Sequence, residues 1–412
     1  MFKNAHASMI NLVQKPERNQ AWSKGEIMLS SWQKRGYCID AMRTLARSQL
    51  PKPVFDFADG AAEDEVTMRG NESDFGKYAL VPRPLEGAAG RDMSLELFGK
   101  KLSMPVIVGP TGLSGLFWPN GERETARAAT KAGTAYCLSH GSTCTLEELA
   151  QTGAAPKWMQ VFIYRERDFT QELCERAQAA NYDALVLTID NQVLGKRERD
   201  LANGFAIPPE FGFTGYLRML AKYRWLWRMR DTYGRLTFAN YARPGEDTNL
   251  SQLAGRMSEL LDPAMTWDDV RWVRDIWKGP MILKGVLHPE DAAKAIDMGV
   301  DSVVVSNHGG RQLDTAITSI TALPGIFDAI GGRASILIDG GIRRGTDVLK
   351  AVALGATACL IGRPQLWGVA VAGEAGVAHV LDILARELDI AMGLCGAKSL
   401  AEITPELLAA RG

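Results

Sequence analysis

The sequence predicts an α/β protein built on a TIM (β/α)8 barrel. Two observations carry that expectation. About eight short apolar runs recur along the chain, most of them near-continuously apolar, as strands buried on both faces must be. Helix-like stretches separate most of them, and alternating strand and helix argues for parallel pairing. A doubly wound sheet competes, but no GxGxxG follows the first strand.

The expected strands are 104–110 (MPVIVGP), 134–139 (TAYCLS), 158–163 (WMQVFI), 184–190 (ALVLTID), 281–286 (MILKGV), 302–307 (SVVVSN), 335–340 (SILIDG) and 358–362 (ACLIG). Helices are expected over 121–133, 170–181, 288–299 and 345–355. Three pieces fall outside this repeat. Residues 1–75 read as a mostly helical extension and lid before the barrel at 76–400. Residues 191–265 form a long insertion after the fourth strand. The tail after about residue 370 reads as helix.

Bulk properties exclude more than they assert. The chain of 412 residues is 46% hydrophobic and 23% charged, ordinary for a soluble globular protein. Its 47 basic and 48 acidic side chains give no sign of a nucleic-acid partner. Six cysteines lack CxxC spacing, so reduced thiols in a cytoplasmic protein are expected, with no metal. No run looks long enough to cross a bilayer, and the N-terminus lacks the apolar core of a signal peptide.

Barrel active sites gather at the C-terminal ends of the strands. Those ends carry Pro110, Thr111, Ser139, His140, Gln160, Thr188, Asp190, Lys284, Ser306, His308 and Asp339. In VVVSNHGGRQLD (303–314), His308 and Arg311 would share one mouth with Lys284 and Asp190, with Gly309 and Gly310 keeping the backbone supple. The loops after strands seven and eight often hold a phosphate in such barrels. Here they bring Gly340, Gly341 and Arg343, then Gly362 and Arg363. Glycines admit backbone amides to an anion and arginines grip it bidentately.

Several motifs resemble the FMN-dependent L-2-hydroxy acid oxidases and dehydrogenases. They are LPKPVFDFADGAAEDE (50–65), MPVIVGPTGLSG (104–115), LTIDNQVLGKRERD (187–200), LKGV (283–286), SNHGGRQLD (306–314) and the stretch 339–355. The likeness runs from about residue 45 to 400. GPTGLSGLFWPNGE is most similar to the mandelate dehydrogenase branch. The resemblance implies FMN as cofactor and His308 as the base, with Asp190 paired to its imidazolium. Arg311 would grip the substrate carboxylate, assisted by Arg197. Lys284 would lie near N1 and C2=O of the flavin. Pro110, Thr111, Gly112, Ser139, Gln160, Thr188 and Ser306 would contact the ring or its chain. Asp339 would take the ribityl hydroxyls, and Gly341, Arg343, Gly362 and Arg363 the phosphate.

Two departures bear on the substrate. Phe57 and Phe162 stand where the family usually has tyrosines. Each exchange removes a hydroxyl, and a hydrogen bond to a charged group is worth roughly 1.5–3 kcal/mol. Gly141, where plant-type members carry tryptophan, and Gly112 point to a roomier site. The expectation is therefore oxidation of a bulky or aromatic 2-hydroxy acid to the 2-oxo acid. The alternative is another C–H substrate, an amine, lactam or alcohol in a modified metabolite. A quinone or another acceptor would take the electrons, with oxygen left open. Family likeness implies a homotetramer.

Segment 211–238 interleaves aromatics with Arg218, Lys222, Arg224, Arg228 and Arg230. On a helical wheel Met219, Leu220, Tyr223, Leu226 and Trp227 share one side, while Trp225 and Arg230 blur the pattern. Such a segment suits a bilayer interface and would place the protein peripherally on the inner face of the cell membrane. A contact with a neighbouring subunit is the competing reading.

Overall fold

The computed structural model describes residues 30–87, 89–154, 156–203, 221–232, 234, 236–241 and 259–411. Eight strands close into a parallel barrel. They are β1 (Val106–Val108), β2 (Tyr136–Leu138), β3 (Lys157–Val161), β4 (Ala184–Thr188), β5 (Met281–Val286), β6 (Ser302–Val305), β7 (Ser335–Ile338) and β8 (Ala358–Ile361). Strand β8 closes on β1 with Cys359, Leu360 and Ile361 opposite Val106, Ile107 and Val108. Every expected run overlaps one strand, and only β3 begins outside its run, at Lys157. Most strands stop short of the apolar run, and the residues left over turn into the loops of the mouth. Ser139, Ser306 and Asp339 all lie just past a strand end.

Alternation along each strand divides the core. Ile107, Val186, Ile282, Val304 and Leu337 join one fully buried cluster inside the barrel, with Leu97 and Leu102 of a small antiparallel ribbon that precedes β1. Val106, Leu185, Leu283, Val303 and Ile338 belong to the larger cluster beneath the helices.

The C-terminal helix, Arg363–Cys395, corrects one expectation. By length and composition it could cross a bilayer, yet 61% of its most apolar window is buried. It packs on helices Gly121–Lys131 and Ile39–Gln49 and breaks at Ala372 and Gly373. Its apolarity therefore serves the core of the barrel.

Helices Ile39–Gln49, Lys52–Asp59 and Val66–Ser73 precede the barrel, and the last two are tied to the loop after β6. The carboxylate of buried Asp314 accepts from the backbone N–H of Val66 (3.1 Å) and Thr67 (2.8 Å), capping helix Val66–Ser73. Asn71 and Asn307 exchange two amide bonds, both 2.8 Å. The glycines at this seam are not there for suppleness. His308, Gly309 and Gly310 run through three consecutive left-handed conformations, φ 57°, 65° and 77°. A side chain on Gly310 would sit 2.7 Å from the Met68 nitrogen, and one on Gly341 1.9 Å from the Asn71 carbonyl. Gly341 thus admits the N-terminal helix as well as leaving its amide bare.

Of the insertion, residues 204–220 and 242–258 lie outside the described residues, and with them Arg218, Met219 and Leu220. Helix Tyr223–Met229 is turned differently from the expected wheel. Trp225 and Met229 are buried, and Trp225 Nε1 donates to the Leu116 carbonyl at 3.2 Å. Tyr223 and Trp227 face out. The indole that blurred the pattern is the anchor, because it has a carbonyl to satisfy its N–H.

Candidate active site

One cavity opens at the C-terminal ends of the strands. His308, Arg311, Arg197, Lys284, Asp339, Gln160, Thr188 and Ser139 all line it, as do the 109–112 and 339–343 loops. Asp190 and Ser306 stand just behind.

His308 Nδ1 lies 2.9 Å from Asp190 Oδ1. A carboxylate there accepts a hydrogen bond from Nδ1–H, so the lone pair sits on Nε2. Burial and the neighbouring Lys284 push the imidazole pKa down. Asp190 pulls it up but does not win, and the result is lower than ordinary. Asp190 is held ionised, since His308 and Lys284 outweigh the upward push of burial. Lys284, 4% exposed, bonds Ser306 Oγ at 2.9 Å and Asp339 at 3.1 Å. Burial alone would lower its pKa, but Asp339 and Asp190 raise it above the usual lysine range.

Arg311 is set by the N-terminal segment. Its Nη1 donates to the carbonyls of Phe57 (2.8 Å) and Gly60 (2.9 Å). Its Nε and Nη2 have no protein partner among the described residues, leaving the side-on edge that fits a carboxylate. The Phe57 ring lies 5.5 Å from this guanidinium. Arg363 spends three of its five N–H groups on the carbonyls of Asp59, Gly309 and Gly60. It therefore braces the N-terminal segment as well as facing the cavity. Arg343 pairs with Glu72 at 2.7 Å.

Several polar atoms around this cavity are sealed from solvent yet have no partner among the described residues. They are Gln160 Nε2, Thr188 Oγ1, Asp339 Oδ1, Asp190 Oδ2, Arg197 Nε and Arg343 Nε. A buried polar group without a partner costs about 1–3 kcal/mol. Such a concentration is the mark of a site made for a polar ligand.

Two glycine expectations change. A side chain on Gly141 would meet the Phe238 ring at 3.6 Å, so the insertion refills the room that glycine leaves. A side chain on Gly112 would meet the Gly141 carbonyl at 3.2 Å, and Leu113 N–H donates to that carbonyl at 2.9 Å. Gly112 serves a close backbone approach. Sequence reading also missed Phe238, Leu194, Leu261 and Ile342 as lining residues. Their positions depend on how the insertion and the last loops return, which local pattern does not encode.

A family model described as "FMN-dependent dehydrogenase" matches residues 46–410. The chain belongs to the FMN-dependent dehydrogenase family. An L-lactate dehydrogenase of Ectopseudomonas mendocina is 42% identical over 367 residues, 89% of this chain and 97% of that protein. An L-lactate oxidase of Nostoc sp. is 42% identical over 88% of this chain and 95% of its own length. The crystal structure of the monotopic membrane protein (S)-mandelate dehydrogenase superposes with a TM-score of 0.88. It is 37% identical and covers 91% of this chain and 99% of its own. This member of the family is an FMN-dependent oxidoreductase, and its unpartnered polar cavity fits that cofactor.

We propose neutral His308 as the base of this FMN-dependent dehydrogenase. Its depressed pKa predicts an acid limb in kcat/KM below the ordinary imidazole value of about 6.5. A pH profile of anaerobic flavin reduction checks this. An acid limb at or above about pH 7 would contradict the assignment.

Proposed function

We propose that the protein oxidises a bulky or aromatic 2-hydroxy acid to the 2-oxo acid. The observation that carries this reading is neutral His308 bonded to ionised Asp190, in the same cavity as the free edge of Arg311. Relatives named lactate dehydrogenase, lactate oxidase and mandelate dehydrogenase support the class of substrate, and the alternative C–H substrates have no such support.

Bound FMN supplies the acceptor for the electrons and hydrogen lost from C2. Pro110, Thr111, Gly112, Ser139, Gln160 and Thr188 would hold its ring side. Lys284, Ser306 and Asp339 would continue the site, and Gly341, Arg343, Gly362 and Arg363 would receive its phosphate. Lys284 keeps a buried positive charge in the cavity, where negative charge is stabilised. Arg311, with Arg197 beside it, fixes the substrate carboxylate and so orients C2. His308 Nε2 takes the proton of the substrate, and Asp190 stabilises the imidazolium that results.

Phe57, Phe162, Phe238 and Leu261 give the cavity an apolar wall. A phenyl group burying on the order of 100 Å² gains about 2.5 kcal/mol, comparable to the lost hydroxyl contact. Anaerobic flavin reduction should therefore be faster with mandelate than with lactate. Phe57→Tyr with Phe162→Tyr should raise kcat/KM for lactate by roughly tenfold or more and leave mandelate little changed. Equal wild-type rates with both acids would exclude the apolar wall as the source of specificity. No bleaching by any 2-hydroxy acid would remove the functional reading itself.

The exposed Trp227 and Tyr223, flanked by Arg224 and Arg230, support docking on an anionic membrane surface. Such docking would bring the protein to an electron acceptor in the bilayer. Trp227→Ala with Arg224→Glu and Arg230→Glu should abolish co-sedimentation with vesicles containing phosphatidylglycerol, since each cation contributes about 1 kcal/mol. Undiminished co-sedimentation would leave this face to a neighbouring subunit.

A further inference from the structure

The wall at Phe162 has no hydroxyl of its own, but the ring stacked against it is polar. His140 lies 4.1 Å from Phe162, centroid to centroid, and lines the same cavity. Behind it stand two fully buried tyrosines. Tyr164 Oη is 2.9 Å from His140 Nδ1. Tyr241 Oη bonds the same nitrogen and also bonds Tyr164 Oη.

This cluster fixes the tautomer of His140. If Nδ1 accepts, Tyr241 can donate to it and Tyr164 to Tyr241, and both hydroxyl protons are used. If Nδ1 carried a proton, one buried O–H would have no acceptor among the described residues, at a cost of about 1–3 kcal/mol. The proton therefore sits on Nε2. Burial, with the nearby His308, pushes the imidazole pKa down to about 3, so the ring stays neutral. Nε2 has no protein partner among the described residues, and it is not one of the polar atoms sealed from solvent.

His308 and His140 are thus opposite tautomers on one cavity. The first presents a lone pair and the second an N–H. A C2 hydroxyl needs both, an acceptor for its proton and a donor for its oxygen. We propose that His140 is a substrate-binding residue whose Nε2–H hydrogen-bonds the C2 oxygen of the hydroxy acid, with Tyr164 and Tyr241 as the positioning residues that hold the N–H there. The return of the insertion builds this device. Asn240 Nδ2 donates to Ser142 Oγ at 2.9 Å and its Oδ1 accepts from Leu146 N–H at 3.0 Å, which seats Tyr241 against His140.

The inference rests on the hydroxy-acid reading above. It is tested by binding two aromatic acids to the FMN-loaded protein, followed through the flavin spectrum. Benzoylformate carries an oxygen on C2 and phenylacetate does not. His140→Phe should weaken benzoylformate roughly 10- to 100-fold and phenylacetate by less than about threefold. His140→Gln, which keeps an N–H near the position of Nε2, should restore benzoylformate to within about fivefold of wild type. Should the phenylalanine prevent folding, His140→Met removes the same N–H on a flexible chain. Equal weakening of both acids, unchanged benzoylformate binding, or a glutamine variant as weak as the phenylalanine variant would each overturn the assignment. Wild type that is bleached by mandelate but fails this comparison loses only the role of His140. Wild type that is bleached by no 2-hydroxy acid loses the function as well.

Discussion

Three half-buried arginines with too little negative charge between them set the terms of this site. Burial pushes the pKa of Arg311 far down, and Arg197 and Arg363 push it further. Burial likewise lowers Arg197, and lowers Arg363 to about 10 despite Asp59, Glu65 and Glu72. All three remain cations at neutral pH, but each is worse off than in water. The protein offsets part of this cost with the carbonyls of Phe57, Asp59 and Gly60. The remainder is an appetite for anions. A carboxylate on one side of the cavity and a phosphate on the other would both be favoured by this field.

That constraint explains why the N-terminal segment belongs to the site. Its helices join the main core beneath the C-terminal helix, and they also supply the carbonyls that orient Arg311. They in turn are fixed by Asp314 and Asn307, which follow β6 on the same loop as His308. The left-handed run at His308–Gly310 lets one short loop present an imidazole to the cavity and receive a helix from above. Asp59 adds a second tie, holding Arg43 through two bonds of 2.6 and 2.7 Å and Arg199 at 3.1 Å.

Much of this was legible in the sequence. Apolar runs of strand length report burial on both faces directly, so all eight strands could be placed. Polar residues at strand ends are rare for packing reasons alone, so Lys284, His308 and Asp339 stood out. The insertion was not legible. Trp225 reads as a surface residue on a wheel, because its buried role depends on the Leu116 carbonyl from a distant loop. Phe238 refilling the space at Gly141 and Tyr241 locking His140 are likewise contacts across about a hundred residues. The glycines misled in a consistent way. Gly112, Gly310 and Gly341 answer to backbone close by, and only the folded chain shows which backbone that is.

Arg311 is an oriented fork: the Phe57 and Gly60 carbonyls hold Nη1, and Nε and Nη2 face the cavity without a partner among the described residues. Arg311→Lys keeps the charge and removes the fork. Anaerobic stopped-flow reduction of the FMN-loaded variant by mandelate should show kcat/KM lower by roughly 100-fold or more, with FMN content unchanged. A lysine variant within about threefold of wild type would contradict it, because charge alone would then suffice to hold the substrate.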